Sequence, residues 1–288
     1  MSSTLPTAVF RTDHVTGGWS ALSPTRWAVD LFGRRQFLWR FAMREIQGRY
    51  RGSYLGIAWA LVTPLLMLLV YTTVFHSIMH LSWDNGPDNF INYAAPVFSG
   101  IVAFGVFSES VTRASGLIVQ NPNYVKKVVF PLQILPASLV VAAVVHSLLS
   151  LAVLIVLVAW GNLAVHASLI FLPLVYVPLI LLTLGCSWLL AALGVFLRDI
   201  GNLVSVAIQL LFFLTPIMYS DHKVTGLARR AMWLNPLAII VINFRRVINE
   251  GVAPDWISLS LVTVFAFVVV VLGYAFFQTI KRAFADVI

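Results

Sequence analysis

The sequence predicts an all-α polytopic membrane protein with six transmembrane helices. An amphipathic interface helix precedes them, and a pair of re-entrant helices lies between the fifth and sixth. Three observations lead there. Charged residues make up only 10% of the 288 residues and the mean hydropathy is +0.91, whereas an ordinary soluble domain is about 25% charged. Several unbroken apolar runs approach the ~20 residues a helix needs to cross hydrocarbon, where a β-barrel would show alternating segments of ~10 residues. The basic residues behind the net charge of +8 flank those runs, a distribution that orients a chain in a membrane and requires no nucleic-acid partner.

The chain divides into three parts. Residues 1–30 contain Ser, Thr, Pro and Gly and no apolar core, so they read as a weakly ordered cytosolic tail without a cleavable signal peptide. Residues 31–53 form the interface helix. At ~100° per residue, Phe32, Trp39, Met43, Ile46 and Tyr50 fall on one side and Arg40, Arg44, Gln47 and Arg51 on the other; Arg35 and Phe37 break the pattern. Such a helix lies along the membrane surface, guanidinium side toward anionic headgroups or a partner. Residues 54–288 hold the spans, at Leu55–His80, Ala94–Val119, Leu132–Trp160, Ser168–Leu197, Leu203–Ser220 and Trp256–Ile280. Pro64, Pro173, Pro178 and Pro216 fall inside them, where neighbouring helices absorb the kinks.

Lys and Arg set the orientation. Arg11 through Arg51 precede the first span, Arg113, Lys126 and Lys127 mark the second connection, Arg198 the fourth, and Lys281 and Arg282 the C-terminal tail. The first connection carries Asp84 and Asp88 without a base, and the third only His166. Both termini are therefore expected in the cytosol. Residues 221–255 depart from the rule. They should lie outside, yet they hold Lys223, Arg229, Arg230, Arg245 and Arg246 around an apolar piece, Met232–Ile242, that is too short to span and broken by Asn235-Pro236. Two short helices that dip into the outer leaflet and return satisfy both facts, with the arginines at headgroup level. A full crossing would instead give seven spans and an external C-terminus, against Lys281 and Arg282.

Residues able to do chemistry are few. There is no G-x-x-x-x-G-K-[ST] phosphate loop and no H-E-x-x-H, the carboxylates are dispersed, and Cys186 stands alone. Phosphoryl-transfer and metal chemistry need clustered groups, so a lipid-modifying enzyme is disfavoured and no metal site is expected. Ion-coupled transport usually leaves several buried ionisable groups, which are also scarce. Glu109 and Arg113, four apart with the acid first, form an intramembrane ion pair that is either structural or changes partner as the protein opens. His76 and His80 share a face at the outer end of the first span and read as interfacial. Asn121 caps, and Pro122 begins, a short cytosolic helix displaying Tyr124, Lys126 and Lys127. It is either a plain basic loop or a lever for a cytosolic motor; the Arg198-Asp199 turn is a second candidate for that role. Ser205, Gln209, Phe212, Pro216 and Tyr219 share one face of the fifth span, as Thr63, Met67, Tyr71 and Phe75 do in the first. Rings and transient polar groups suit a path for sugars, and helix packing explains the same stripes.

Several short segments, in a fixed order, carry a family resemblance. They are Arg44-Glu45-Ile46 to Arg49-Tyr50-Arg51, Leu55-Gly56-Ile57-Ala58-Trp59, Pro64-Leu65, and Asn121 to Pro131. Val195-Phe196-Leu197-Arg198-Asp199, Leu214-Thr215-Pro216-Ile217-Met218-Tyr219, and Leu234-Asn235-Pro236-Leu237 with Phe244-Arg245 follow. From about Leu31 onward the chain resembles the permease subunits of ABC-type polysaccharide exporters, above all the Wzm-like O-antigen permeases, with capsule and teichoic-acid exporters as cousins. The resemblance implies a homodimer in the bacterial inner membrane, each subunit paired with a separate nucleotide-binding ATPase that holds ATP-Mg. The permease itself then has no cofactor. It also implies that Arg40, Arg44 and Arg51 of the interface helix and the helix from Asn121 contact the ATPase. The first and fifth spans would line the conduit and the re-entrant helices gate its outer end. The cargo would be a polymer on undecaprenyl diphosphate, which Arg245 and Arg246 would meet, unless they and Arg229 and Arg230 face plain lipid headgroups. Residues 1–30 and the arginine-rich 221–255 segment depart from the family pattern. A stand-alone channel or lipid flippase is the main alternative class.

Overall fold

The computed structural model describes residues 23–80, 83, 90–126, 130–160 and 165–288. Every regular element among them is helical: α1 (Arg26–Gly33), α2 (Arg35–Tyr50), α3 (Trp59–Thr72), α4 (Phe90–Leu117), α5 (Pro122–Val125), α6 (Ile134–Trp160), α7 (Leu172–Phe196), α8 (Ile200–Leu214), α9 (Gly226–Leu234), α10 (Pro236–Ile248), α11 (Trp256–Ile280) and α12 (Phe284–Val287). Among the described residues five stretches are long and apolar enough to cross a membrane, built on α3 with its following turn, α4, α6, α7 and α11.

α4 is the centre of the bundle. Tyr93, Phe98, Phe104 and Val111 are buried along it, and it packs on both α6 and α7. α7 and α11 run parallel. Phe171 meets the Trp256 ring at 5.6 Å at one end, and Phe196 meets Phe284, just beyond α11, at 6.2 Å at the other. Glycine permits the close approach: a Cβ on Gly185 would lie 2.6 Å from the Val269 main chain, and one on Gly273 would overlap Gly185 itself. Small residues play this part where helices associate without a hydrophobic driving force.

The fifth crossing differs from its sequence prediction. The predicted span runs to Ser220; α8 stops at Leu214 after 15 residues. Thr215 precedes Pro216, whose ring drives the preceding residue out of the helical region, and Thr215 is accordingly extended at φ −91°, ψ 132°. The crossing is nevertheless completed. α8 begins beside Ser115, where a Cβ on Gly201 would sit 3.6 Å from the Ser115 hydroxyl. Residues 215–220 reach the opposite end of α4, where the Tyr93 hydroxyl donates to the Met218 carbonyl at 2.7 Å. α4 spans ~33 Å between those residues at ~1.5 Å per residue, more than 15 helical residues cover, and the extended stretch supplies the rest.

α9 and α10 bend by 91° at Asn235, whose side chain accepts the Leu237 amide as a cap and donates to the Thr215 hydroxyl at 2.9 Å. α10 buries Leu237, Val241, Phe244 and Ile248. The chain enters this segment at the Tyr93 end of α4. It leaves at the beginning of α7, where the His166 ring occupies the space a Cβ of Gly251 would need. Entry and exit lie on one side, as a re-entrant pair requires and a seventh crossing forbids. α1 returns to the other side, its Asp30 accepting from the Tyr274 hydroxyl near the end of α11.

At the N-terminus, the periodicity predicts one helix over 31–51. The structure has two: helix already forms at Arg26, and Arg34 breaks it at φ −114°, ψ 23°. Residues 1–22 of the expected tail lie outside the described residues. Replacing Gly185 with Val is expected to lower stability by about 1–3 kcal/mol, the usual cost of overpacking. The readout is the thermal midpoint of detergent-solubilised protein; an unchanged midpoint would show that α7 and α11 are less tightly apposed than described.

Candidate functional site

α2 lies across α4 and α6. Trp39 is 55% exposed, while Ala42 and Ile46 are buried and Leu38 and Phe41 are half-buried. The side chain of Tyr50 lies outside the described residues. The packed stripe of α2 also contains Glu45 and Arg49, and the reason is chemical. Glu45 and Arg49 on α2 and Glu109 and Arg113 on α4 are two Glu-x-x-x-Arg segments laid antiparallel. Arg113 pairs with Glu45, and Arg49 with Glu109 at 3.0 Å. The predicted Glu109–Arg113 contact within α4 is the looser one, at 3.8 Å. His146 of α6 closes the group, its Nδ1 2.6 Å from Arg49 Nη1 and 3.6 Å from Glu109.

The proposed motor-facing residues converge on the same side. Arg44 of α2 donates to the Tyr124 hydroxyl of α5 and lies 4.5 Å over the Phe41 ring. Tyr124 in turn packs on Phe130 at 4.6 Å. α2 and α5 are thereby one surface, with Arg40 and Lys126 exposed upon it. Pro122 opens α5 as predicted, but Asn121 makes no side-chain cap; its amide donates back to the Leu117 carbonyl at 2.9 Å. Arg51, Arg198 and Asp199 are exposed, the last two in the turn between α7 and α8. That turn adjoins the Ser115 end of α4, because Gly194 admits the Ser115 carbonyl into the space of a side chain. Lys127 lies outside the described residues.

Of the conduit candidates, Tyr71 and Phe212 meet at 6.0 Å, bringing α3 and α8 together over Phe104 of α4 at 5.5 Å. Thr63, Met67 and Gln209 are exposed, Phe75 is half-buried, and Ser205 bonds its own helix at the Gly201 carbonyl. Tyr219 does not share their face. It lies beyond the end of α8, and its hydroxyl donates to the Phe213 carbonyl at 3.0 Å.

The outer arginines separate into two kinds. Arg229 and Arg230 are exposed on α9. Arg245 does not face headgroups: it is 2% exposed. Its guanidinium donates to the carbonyls of Pro96 at 3.0 Å, Ile217 at 2.7 Å and Tyr219 at 3.5 Å, and covers the Trp83 ring at 4.4 Å. Arg246 folds back on the Ala253 carbonyl at 3.3 Å. Both are committed to backbone, because residues 215–220 and 249–255 are irregular and leave carbonyls that need donors.

The family model for ABC-2 type transporters matches residues 36–249, from α2 through the end of α10. The chain belongs to this family. It is 30% identical over 260 residues to the O-antigen export system permease protein RfbA of Myxococcus xanthus, covering 89% of this chain and 97% of the relative. A Klebsiella pneumoniae protein of the same description is 27% identical over 85% of this chain and 92% of its own length. The polysialic acid transport protein KpsM of Escherichia coli is 26% identical over 84% and 92%.

In this ABC-2 permease, Glu45, Arg49 and His146 are the site residues that sequence reasoning passed over. The signal for the first two was the repetition of Glu-x-x-x-Arg at 45–49 and 109–113. For His146 it was an ionisable group in the middle of a span. Arg113→Glu is expected to lower the thermal midpoint by placing two carboxylates together, and Glu45→Arg in the same chain to restore most of it. A double-mutant coupling of about 1 kcal/mol would support the pairing; strictly additive effects would rule it out.

Proposed function

We propose that the chain is the membrane half of an ATP-driven exporter that moves a polyprenyl-linked polysaccharide, of O-antigen type, across the bacterial inner membrane. The observation that carries this is the Arg44–Tyr124 contact, which joins α2 and α5 into one basic surface. Such a surface suits docking of a cytosolic nucleotide-binding subunit that holds ATP-Mg and hydrolyses it. Both termini are then cytosolic, because Asp30 and Tyr274 meet on that same side. Two copies of the chain would face each other across a conduit lined by α3 and α8, whose Tyr71, Phe212 and Gln209 present rings and an amide to passing sugars. Surrounding lipids and the exposed Arg229 and Arg230 complete the outer mouth. The 30% identity to the Myxococcus xanthus O-antigen permease, against 26% to KpsM, favours O-antigen-type over capsule-type cargo.

The test is reconstitution with a nucleotide-binding ATPase of the polysaccharide-exporter type. Transport of lipid-linked glycan should require both chains and ATP. Tyr124→Ala should cut transport per ATP hydrolysed by about tenfold, a ~1.4 kcal/mol loss of coupling, while the protein still inserts in the membrane. Export by this chain without nucleotide, or unchanged coupling in Tyr124→Ala, would refute the proposal.

A further inference from the structure

A crevice of about 530 Å³ opens between α3, α4 and α6, immediately beside the charged crossing. Its two ends differ. Toward the α2 end it is lined by Arg49, Ser53, Glu109 and His146; toward the other by Met67, Phe98 and Val102. Thr63 and Met67 stand exposed at its rim. Midway, Gly105 lines it, and a Cβ there would meet nothing within 4 Å. In a membrane this is a slot that is polar at the inner interface and apolar toward the bilayer centre, the polarity of an inner-leaflet lipid.

The polar end has donors to offer. A guanidinium carries five N–H groups, and Arg49 uses only Nη1 in its contacts with Glu109 and His146; Nη2 and Nε make no bond to any described residue. Two carboxylates, Glu45 and Glu109, stand here against three guanidiniums, Arg49, Arg113 and Arg44, the last 3.7 Å from Glu45. A ligand anion is therefore met by one surplus positive charge as well as by directed donors. That fits a single negative charge better than the multiple charges of a diphosphate.

We propose that the crevice binds one inner-leaflet phospholipid, its phosphodiester on the free edge of Arg49 near Ser53 and one acyl chain lying along Gly105, Val102 and Met67. The inference rests on the membrane embedding of the chain and is independent of the cargo. The experiment is native mass spectrometry of the delipidated permease with dioleoylphosphatidylglycerol, dioleoylglycerol or a polyprenyl monophosphate. Phosphatidylglycerol should bind saturably at one per chain and dioleoylglycerol at least tenfold more weakly. Gly105→Leu, which fills the slot and leaves every charge in place, should weaken the phospholipid at least tenfold. Met67→Trp at the exposed rim should do the same without disturbing the core. Arg49→Lys, which keeps the charge but loses the planar fork, should weaken phosphatidylglycerol and leave dioleoylglycerol unchanged. Equal binding of dioleoylglycerol, wild-type affinity in both slot-filling variants, or preference for the polyprenyl monophosphate would each overturn the proposal.

Discussion

The antiparallel crossing of Glu45-x-x-x-Arg49 on Glu109-x-x-x-Arg113 is the constraint on which this end of the bundle depends. A charge near hydrocarbon is costly unless it is paired, and in this register each carboxylate meets a guanidinium of the other helix. Sliding α2 by one turn would set a charge without its partner or oppose like charges. The side chains are partly solvated, so each pair contributes modestly to stability. What the crossing supplies is register. With α2 fixed, Arg44 faces Tyr124, and α5 is fixed in turn.

The Tyr93 end of α4 follows a different rule, the need of irregular backbone for donors. Residues 215–220 leave the helix at a proline and would expose successive carbonyls. Tyr93 takes Met218, and Arg245 takes Ile217 and Tyr219. A buried arginine thus does on this side what a helix would otherwise do for itself. Between the two sides, glycine contacts rather than charges hold α7 to α11 and α4 to α7.

The spans and the re-entrant pair were legible because apolar length and the break at Asn235-Pro236 are local properties of the chain. The end of α8 was legible too, in Pro216, yet the apolar run continues past it and masks the stop. The inward face of α2 was not legible from that helix alone, since Glu45 and Arg49 look like surface residues until α4 provides their partners. Arg245 and Arg246 are adjacent and chemically identical. Only the helical period separates them, because Arg245 shares the buried stripe of Val241 and Ile248 and its neighbour does not. The Tyr71–Phe212 contact was half legible: each residue lay on a marked stripe, but the meeting of the two stripes depends on tertiary structure.

The uneven burial of the helices has a mechanical side. Within this chain 72% of the most apolar window of α4 is buried but only 11% of that of α3, and Val204 is the one buried residue of α8. Prising α7 from α11 would tear apart backbone-to-backbone contact, whereas swinging α3 outward would give up a few ring contacts. The molecule is thus a stiff spine with two loosely seated staves, which can shift without the spine deforming.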